Sequence, residues 1–186
     1  MGRPKALVEL HGEPLVRRAL RVLADGGCAP LVVVVGAAAA DVRAVLPDRV
    51  LVVETPDWAE GMGASLCAGL AVLSGVSDLG ADLGAALVHL VDLPGVTSAA
   101  VARLLAGGTG PAVLRRAAYD GHPAHPVLLG RDHWAAAAAG AEGDAGARAY
   151  LRGNPAVELV ECADVASPDD VDTPESLARF TDHSSR

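Results

Sequence analysis

The chain has 186 residues, 51% of them hydrophobic and mostly Ala, Val and Leu, which is enough for one domain with a sizeable core. A net charge of −8 and only five aromatic residues argue against a nucleic-acid partner: there is no advertised basic face and no base-stacking platform. No apolar run crosses a bilayer without Gly, Pro or charge, no leader opens the chain, and Cys28, Cys67 and Cys162 show no paired spacing. The expectation is a cytoplasmic protein in a reducing compartment, with no disulfide frame, zinc site or membrane partner.

In chain order, "HGEPLVRRALRVLADGG" reads as a helix. Pro14 stands near its start, Leu15, Ala19, Leu20 and Leu23 share one face, and Gly26 stops it. "PLVVVVG" and "RVLVVET" are β-branched runs, as expected for strands buried on both faces. "GMGASLCAGLAVLSG" is a glycine turn entering a helix. "AALVHLVDLPG" is a third buried strand, expected to end at Asp92. "TSAAVARLLAGG" is a capped helix, and "AVLRRAAYDGHPAHPVLL" is two strands around a turn. "DHWAAAAAG" and "DAGARAYLRG" are helical, and "VELVECAD" is a late strand. "TPESLARF" is a final helix with Thr173 as cap and Pro174 at its first position. The alternation predicts one doubly wound α/β domain over 1–180, with a mostly parallel sheet in three layers and a frayed tail at 181–186.

Several residues are candidates for chemistry. Lys5 is the only lysine beside fourteen arginines, and it sits with Arg3 around a proline in "MGRPK". An ammonium is a compact point charge where a guanidinium is a planar fork, so a phosphate role competes with an ordinary solvated lysine. Asp92 lies beyond a strand, where open α/β sheets bind ligands. It can hold magnesium, or simply close its own turn. Asp170 and Asp172 precede a helix and can ligate a metal or cap that helix. Gly61 and Gly63 open a helix, where amides can approach a nucleotide or merely make a tight turn. Ser65 has no Gly-x-Ser-x-Gly context, which disfavours a hydrolase. His122 and His125 are separated by Pro123, so they are no helical metal pair.

Taken in order, "MGRPK", "LVELHGEPLVRRAL", "PDWAEGMGASLCAGL", "LVDLPGVTSAAVARLL", "AHPVLLGRDHW", "GDAGARAYLR" and "DDVDTPESLARF" resemble the MobA-like nucleotidyltransferases. They are most similar to the molybdenum cofactor cytidylyltransferase branch, and the resemblance covers nearly the whole chain. It implies a Rossmann-like nucleotidyltransferase fold and transfer of CMP from CTP to a phosphate-bearing acceptor, the molybdopterin cofactor, with Mg2+ and loss of pyrophosphate. It implies that Lys5 contacts the nucleotide phosphates. Asp92 and Asp172 carry the metal, with Asp170 beside them, and Lys5, Asp92 and Asp172 form the catalytic set. Arg3, Gly61, Gly63 and Ser65 lie on the nucleotide side, and His125 lies on the acceptor side. In this chain Ala124 replaces the glycine of the family's Gly-His-Pro step.

The family's first strand and the glycine half of its phosphate loop have no counterpart before Met1. The expectation is a sheet lacking its first central strand, with the "VVVV" and "VHLV" edges unpaired, and a chain inactive or poorly stable as it stands. Two rival functions follow from the same resemblance. One is an oxidoreductase on this scaffold, of the kind acting on nicotine-derived pigments. The other is a non-catalytic module that binds molybdenum cofactor and hands it to a molybdoenzyme.

Overall fold

In the computed structural model, residues 4–75 and 83–182 are described. The chain begins with a short 3-10 turn at Lys5–Leu7 and a small antiparallel ribbon, β1 (Glu9–Leu10) and β2 (Glu13–Pro14). His11 and Gly12, both at positive φ, turn the ribbon. Helix α1 (Leu15–Asp25) follows directly after Pro14. Its residues Leu15, Val16, Leu20 and Val22 are buried, and Gly26 caps it. Strand β3 (Val32–Val35), helix α2 (Ala39–Ala44), strand β4 (Leu51–Glu54) and helix α3 (Met62–Gly75) complete the first half.

The second half holds β5 (Ala85–Val88), α4 (Ser98–Leu105), β6 (Leu114–Tyr119), β7 (His122–Gly130), α5 (Arg131–Ala139), α6 (Arg148–Leu151), β8 (Glu158–Glu161) and α7 (Pro174–Asp182). Thr97 caps α4 by accepting from the Ala100 amide, and Thr173 accepts from Ser176 at the start of α7. Helix α7 takes in residues 181 and 182 of the expected tail, and 183–186 lie outside the described residues.

Four strands form one sheet in the order β5-β7-β6-β8. The β6–β7 hairpin and the β5–β7 ladder are antiparallel, and β6–β8 is parallel. Strands β5, β6 and β8 therefore run the same way, and only β7 opposes them. Separately, β3 pairs with β4 in parallel, in the register Val32 to Leu51 through Val35 to Glu54.

Helices cover both faces of the four-stranded sheet. Val127 and Leu129 of β7 face Leu70 of α3 and Trp134 and Ala137 of α5. Leu128 points the other way, to Ala100 and Leu104 of α4. This is the doubly wound, mostly parallel α/β architecture. No helix among the described residues is long and apolar enough to cross a membrane.

Two strand expectations need correction. Strand β5 stops at Val88, four residues short of Asp92, and of its residues only Ala86 is buried. In β3 only Val35 is buried, at 4% exposure, while Val32, Val33 and Val34 stay partly exposed. The physical reason is the ladder. Among the described residues β3 pairs only with β4 and β5 only with β7, so each keeps an edge without a partner. Both strands line one cavity of about 620 Å³, whose other walls come from α1, α3, α6, β6 and β7.

Candidate active site

Three segments deliver the first cluster. The 3-10 turn holds Lys5 in place: Leu7 N–H donates to the Pro4 carbonyl and Val8 N–H to the Lys5 carbonyl, both at 3.0 Å. Val8 is buried with Leu10, Leu15 and Val171. Asp92 lies in the turn beyond β5. The Val171 amide donates to the Asp92 carbonyl at 2.9 Å, which runs residues 170–172 alongside Asp92. Ser176 Oγ accepts from the amides of Asp172 and Thr173, each at 3.1 Å, and steadies that stretch. An apolar anchor, fully buried Val171, thus carries two exposed aspartates on either side of it.

The side chains converge. Lys5 Nζ donates to Asp92 Oδ2 at 2.8 Å and also to Asp172 Oδ1. Partial burial works against the charged Lys5 ammonium, but the hydrogen bonds to Asp172 and Asp92 outweigh it and its pKa is raised. The bond from Lys5 holds the Asp172 carboxyl below the usual carboxylate range. Asp170 shifts upward, through desolvation and then through the neighbouring charge of Asp172. Among the described residues no group of three His, Cys, Asp or Glu gathers as a full metal shell. Two carboxylates aimed at one cation are nevertheless what magnesium asks of a protein when substrate phosphates and water supply the other ligands. The pair fits such an ion, with Lys5 Nζ now holding the shared point.

The second assembly lines the cavity between β3 and β5. Ser65 and Met62 come from α3, His89 from just past β5, Arg116 from β6, His125 from β7 and Arg148 from α6. Nδ1 of His125 lies 3.4 Å from the Val88 carbonyl, which can only accept. Burial lowers the pKa of His125, and that backbone contact offsets it in part. His89 is pushed down to about 4, first by burial and then by the nearby His125. Its Nδ1 is buried with no hydrogen-bond partner among the described residues.

Gly61 and Gly63 stand at the start of α3, as expected, but another segment uses them. A methyl on Gly63 would sit 2.6 Å from the Ala141 carbonyl oxygen, and one on Gly61 would sit 2.5 Å from the Gly143 carbonyl carbon. Gly61 also has φ of +107°. These glycines let the 141–143 backbone approach α3. Arg3 lies outside the described residues.

The MobA-like NTP transferase domain family matches residues 1–161. The chain belongs to that family. Nicotine blue oxidoreductase of Paenarthrobacter nicotinovorans is 38% identical over 192 residues, covering 97% of this chain and 89% of that protein. The crystal structure of a manganese complex of Rv0371C from Mycobacterium tuberculosis H37Rv superimposes with a TM-score of 0.73 at 24% identity, over 97% of this chain and 93% of that one. A nucleotidyl transferase from Methanothermobacter thermautotroptrophicus gives 0.78 at 19%, over 96% and 84%. These two likenesses show the shared fold. As a MobA-like NTP transferase domain, the chain is an enzyme of the nucleotidyltransferase kind.

Within this MobA-like domain the structure brings Lys5, Asp92, Asp170 and Asp172 together, and it places Ser65 and His125 on one cavity. Sequence reasoning passed over His89, Arg116 and Arg148. Two signals were available. His89 is a lone polar residue in the apolar run "ALVHLV", three before Asp92, and "VLRRAA" puts two arginines inside a strand pattern.

Proposed function

We propose that the protein transfers a nucleoside monophosphate, with CMP from CTP the favoured case, to a phosphate-bearing acceptor of the molybdopterin cofactor kind. The observation that carries this reading is the convergence of Asp92 and Asp172 on the chain's only lysine, in a member of a family named for NTP transfer. An oxygen of the acceptor phosphate attacks the α-phosphorus of the triphosphate. The bond from that phosphorus to the bridging oxygen breaks, and pyrophosphate leaves with the bonding electrons.

Such chemistry depends on positioning and on charge placed before the reaction. Lys5 gives up its carboxylate partners and sets its ammonium on the triphosphate. Asp92 and Asp172, with Asp170 beside them, would hold Mg2+, which when bound neutralises charge on the transferring phosphate. The manganese in Rv0371C, a protein of the same fold, supports a divalent-ion site. Ser65, Arg3 and the amides around Gly61 and Gly63 serve the nucleotide, and His125 faces the acceptor. The enzyme's partners are then small molecules, with a molybdoenzyme as the receiver of the product.

A second reading has one specific observation behind it, the 38% identity to a nicotine blue oxidoreductase. Under that reading the cavity takes a flat pigment and a nicotinamide donor. The two are separated by incubating the protein with CTP, Mg2+ and molybdopterin while following pyrophosphate, and in parallel with NADH or NADPH and a quinonoid dye. Pyrophosphate release with no nicotinamide oxidation is the expected result. Nicotinamide oxidation without pyrophosphate would replace the transferase reading.

A further inference from the structure

Four arginines of this acidic chain meet carboxylates. Arg21 meets Glu13 at 2.8 Å, Arg43 meets Glu54 at 3.3 Å, Arg103 meets Asp164 at 2.6 Å and Arg115 meets Glu158 at 2.8 Å. Arg116, the next residue along β6 after Arg115, faces the opposite side of the sheet and meets no carboxylate among the described residues. Its Nε donates to the Ala124 carbonyl at 3.0 Å, which pins the stem. Arg148 has no hydrogen bond or ion pair from its side chain among the described residues.

Both arginines line the cavity that holds His89, His125 and Ser65, although they come from separate elements of the fold. Burial, and then the like charge of Arg148 nearby, work against the charged form of Arg116. Nearby, His125 is within electrostatic reach of both arginines and of Asp92, so the cluster lies near the Lys5–Asp92 site. The ladder between β6 and β7 shifts register between Arg116 and Ala118, the kind of irregularity that re-aims side chains beside a site. The rest of the wall is largely aliphatic, including the partly exposed Val33, Val34 and Leu66, and 620 Å³ is the size of a small-molecule site.

We propose that Arg116 and Arg148 form an anion subsite for the phosphate monoester of the acceptor, separate from the triphosphate site at Lys5 and with the acceptor's apolar body against the aliphatic wall. The proposal rests on the transferase reading for its place in the reaction. Two guanidinium forks suit a dianionic phosphate better than a single ammonium does. No carboxylate among the described residues is paired with them. The unpartnered Nδ1 of His89, in the same cavity, offers a further polar contact.

The test uses phenyl phosphate as a probe, a monoester with a flat apolar body, titrated calorimetrically into the full chain, with CTP and Mg2+ titrated separately. Arg116→Gln and Arg148→Gln are each expected to weaken phenyl phosphate at least about tenfold while leaving CTP affinity within about twofold. Arg152→Gln, outside the cavity, is expected to change neither. Should Arg116→Gln fail to fold, Arg148→Gln and Arg116→Lys carry the test, and Arg116→Lys is expected to bind the probe with intermediate affinity. Unchanged phenyl phosphate binding in the Arg148 variant, or an equal loss of CTP, overturns the proposal. If CTP fails to bind the unaltered chain while the phenyl phosphate pattern holds, the subsite stands and the transferase reading falls.

Discussion

Strands β3 and β7 both carry runs of aliphatic residues, yet the protein treats them differently. In β7, flanked by β5 and β6, Val127, Leu128 and Leu129 are all at 3% exposure or less. In β3, paired only with β4 among the described residues, three of four valines stay partly exposed. Side-chain character is the same in both strands, and what differs is the number of ladder partners. A strand with neighbours on both edges has helices seated on both its faces, while a strand with one open edge leaves its valines partly exposed. The site residues divide along the same line. Asp92 follows β5, whose free edge borders the cavity, and Lys5 and Asp172 reach it through short turns.

The largest expected contrast is in packing. Leu128→Ala, at 1% exposure against α4, should cost about 2–5 kcal/mol, whereas Val33→Ala in β3 should cost no more than about 1 kcal/mol. Urea unfolding of both variants checks this, and equal losses would mean that β3 is as tightly packed as β7.

Next comes His89, which sits where the two regions meet. Its folded pKa of about 4 lies below the ordinary 6.5. As pH falls below 6.5 the unfolded chain takes up a proton that the folded chain refuses until about pH 4. Stability therefore declines across that window, by up to roughly 3 kcal/mol from this group. His89→Gln should flatten the decline. An unaltered pH profile would place the histidine in a well-solvated setting.

The smallest stability effect is expected at Lys5. Its ion pairs are substantially exposed to solvent, so Lys5→Arg and Lys5→Ala should move the melting temperature by no more than about 2 °C. Affinity for CTP with Mg2+ should fall in both, further in Lys5→Ala. If affinity stays within about twofold in both variants, Lys5 is only a solvated partner of the two aspartates.

Much of the fold was legible because punctuation is local. Gly26, Thr97 and Thr173 mark helix ends through bonds to residues next door, Pro14 does so through its fixed φ, and each fell where expected. The end of β5 was not, because a strand stops where its partner stops: Val88 pairs with Val127, and nothing in "HLVD" records that register. The same holds for the site. Lys5, Asp92 and Asp172 announce themselves by type and by resemblance. Arg116, Arg148 and His89 become neighbours only through the sheet order β5-β7-β6 and the placement of α6 beside it. Gly61 and Gly63 were visible as turn glycines, but their contact with residues 141–143 depends on tertiary packing that no local pattern encodes.

The most direct test of the account is pyrophosphate release from CTP with Mg2+ and molybdopterin by the unaltered chain and by Asp92→Asn. The amide keeps the shape of the side chain and removes the charge facing Lys5. The account predicts steady release by the unaltered chain and a fall of about two orders of magnitude or more in the variant, with the melting temperature nearly unchanged. Near-normal release by Asp92→Asn would contradict it and leave Asp92 as a turn residue.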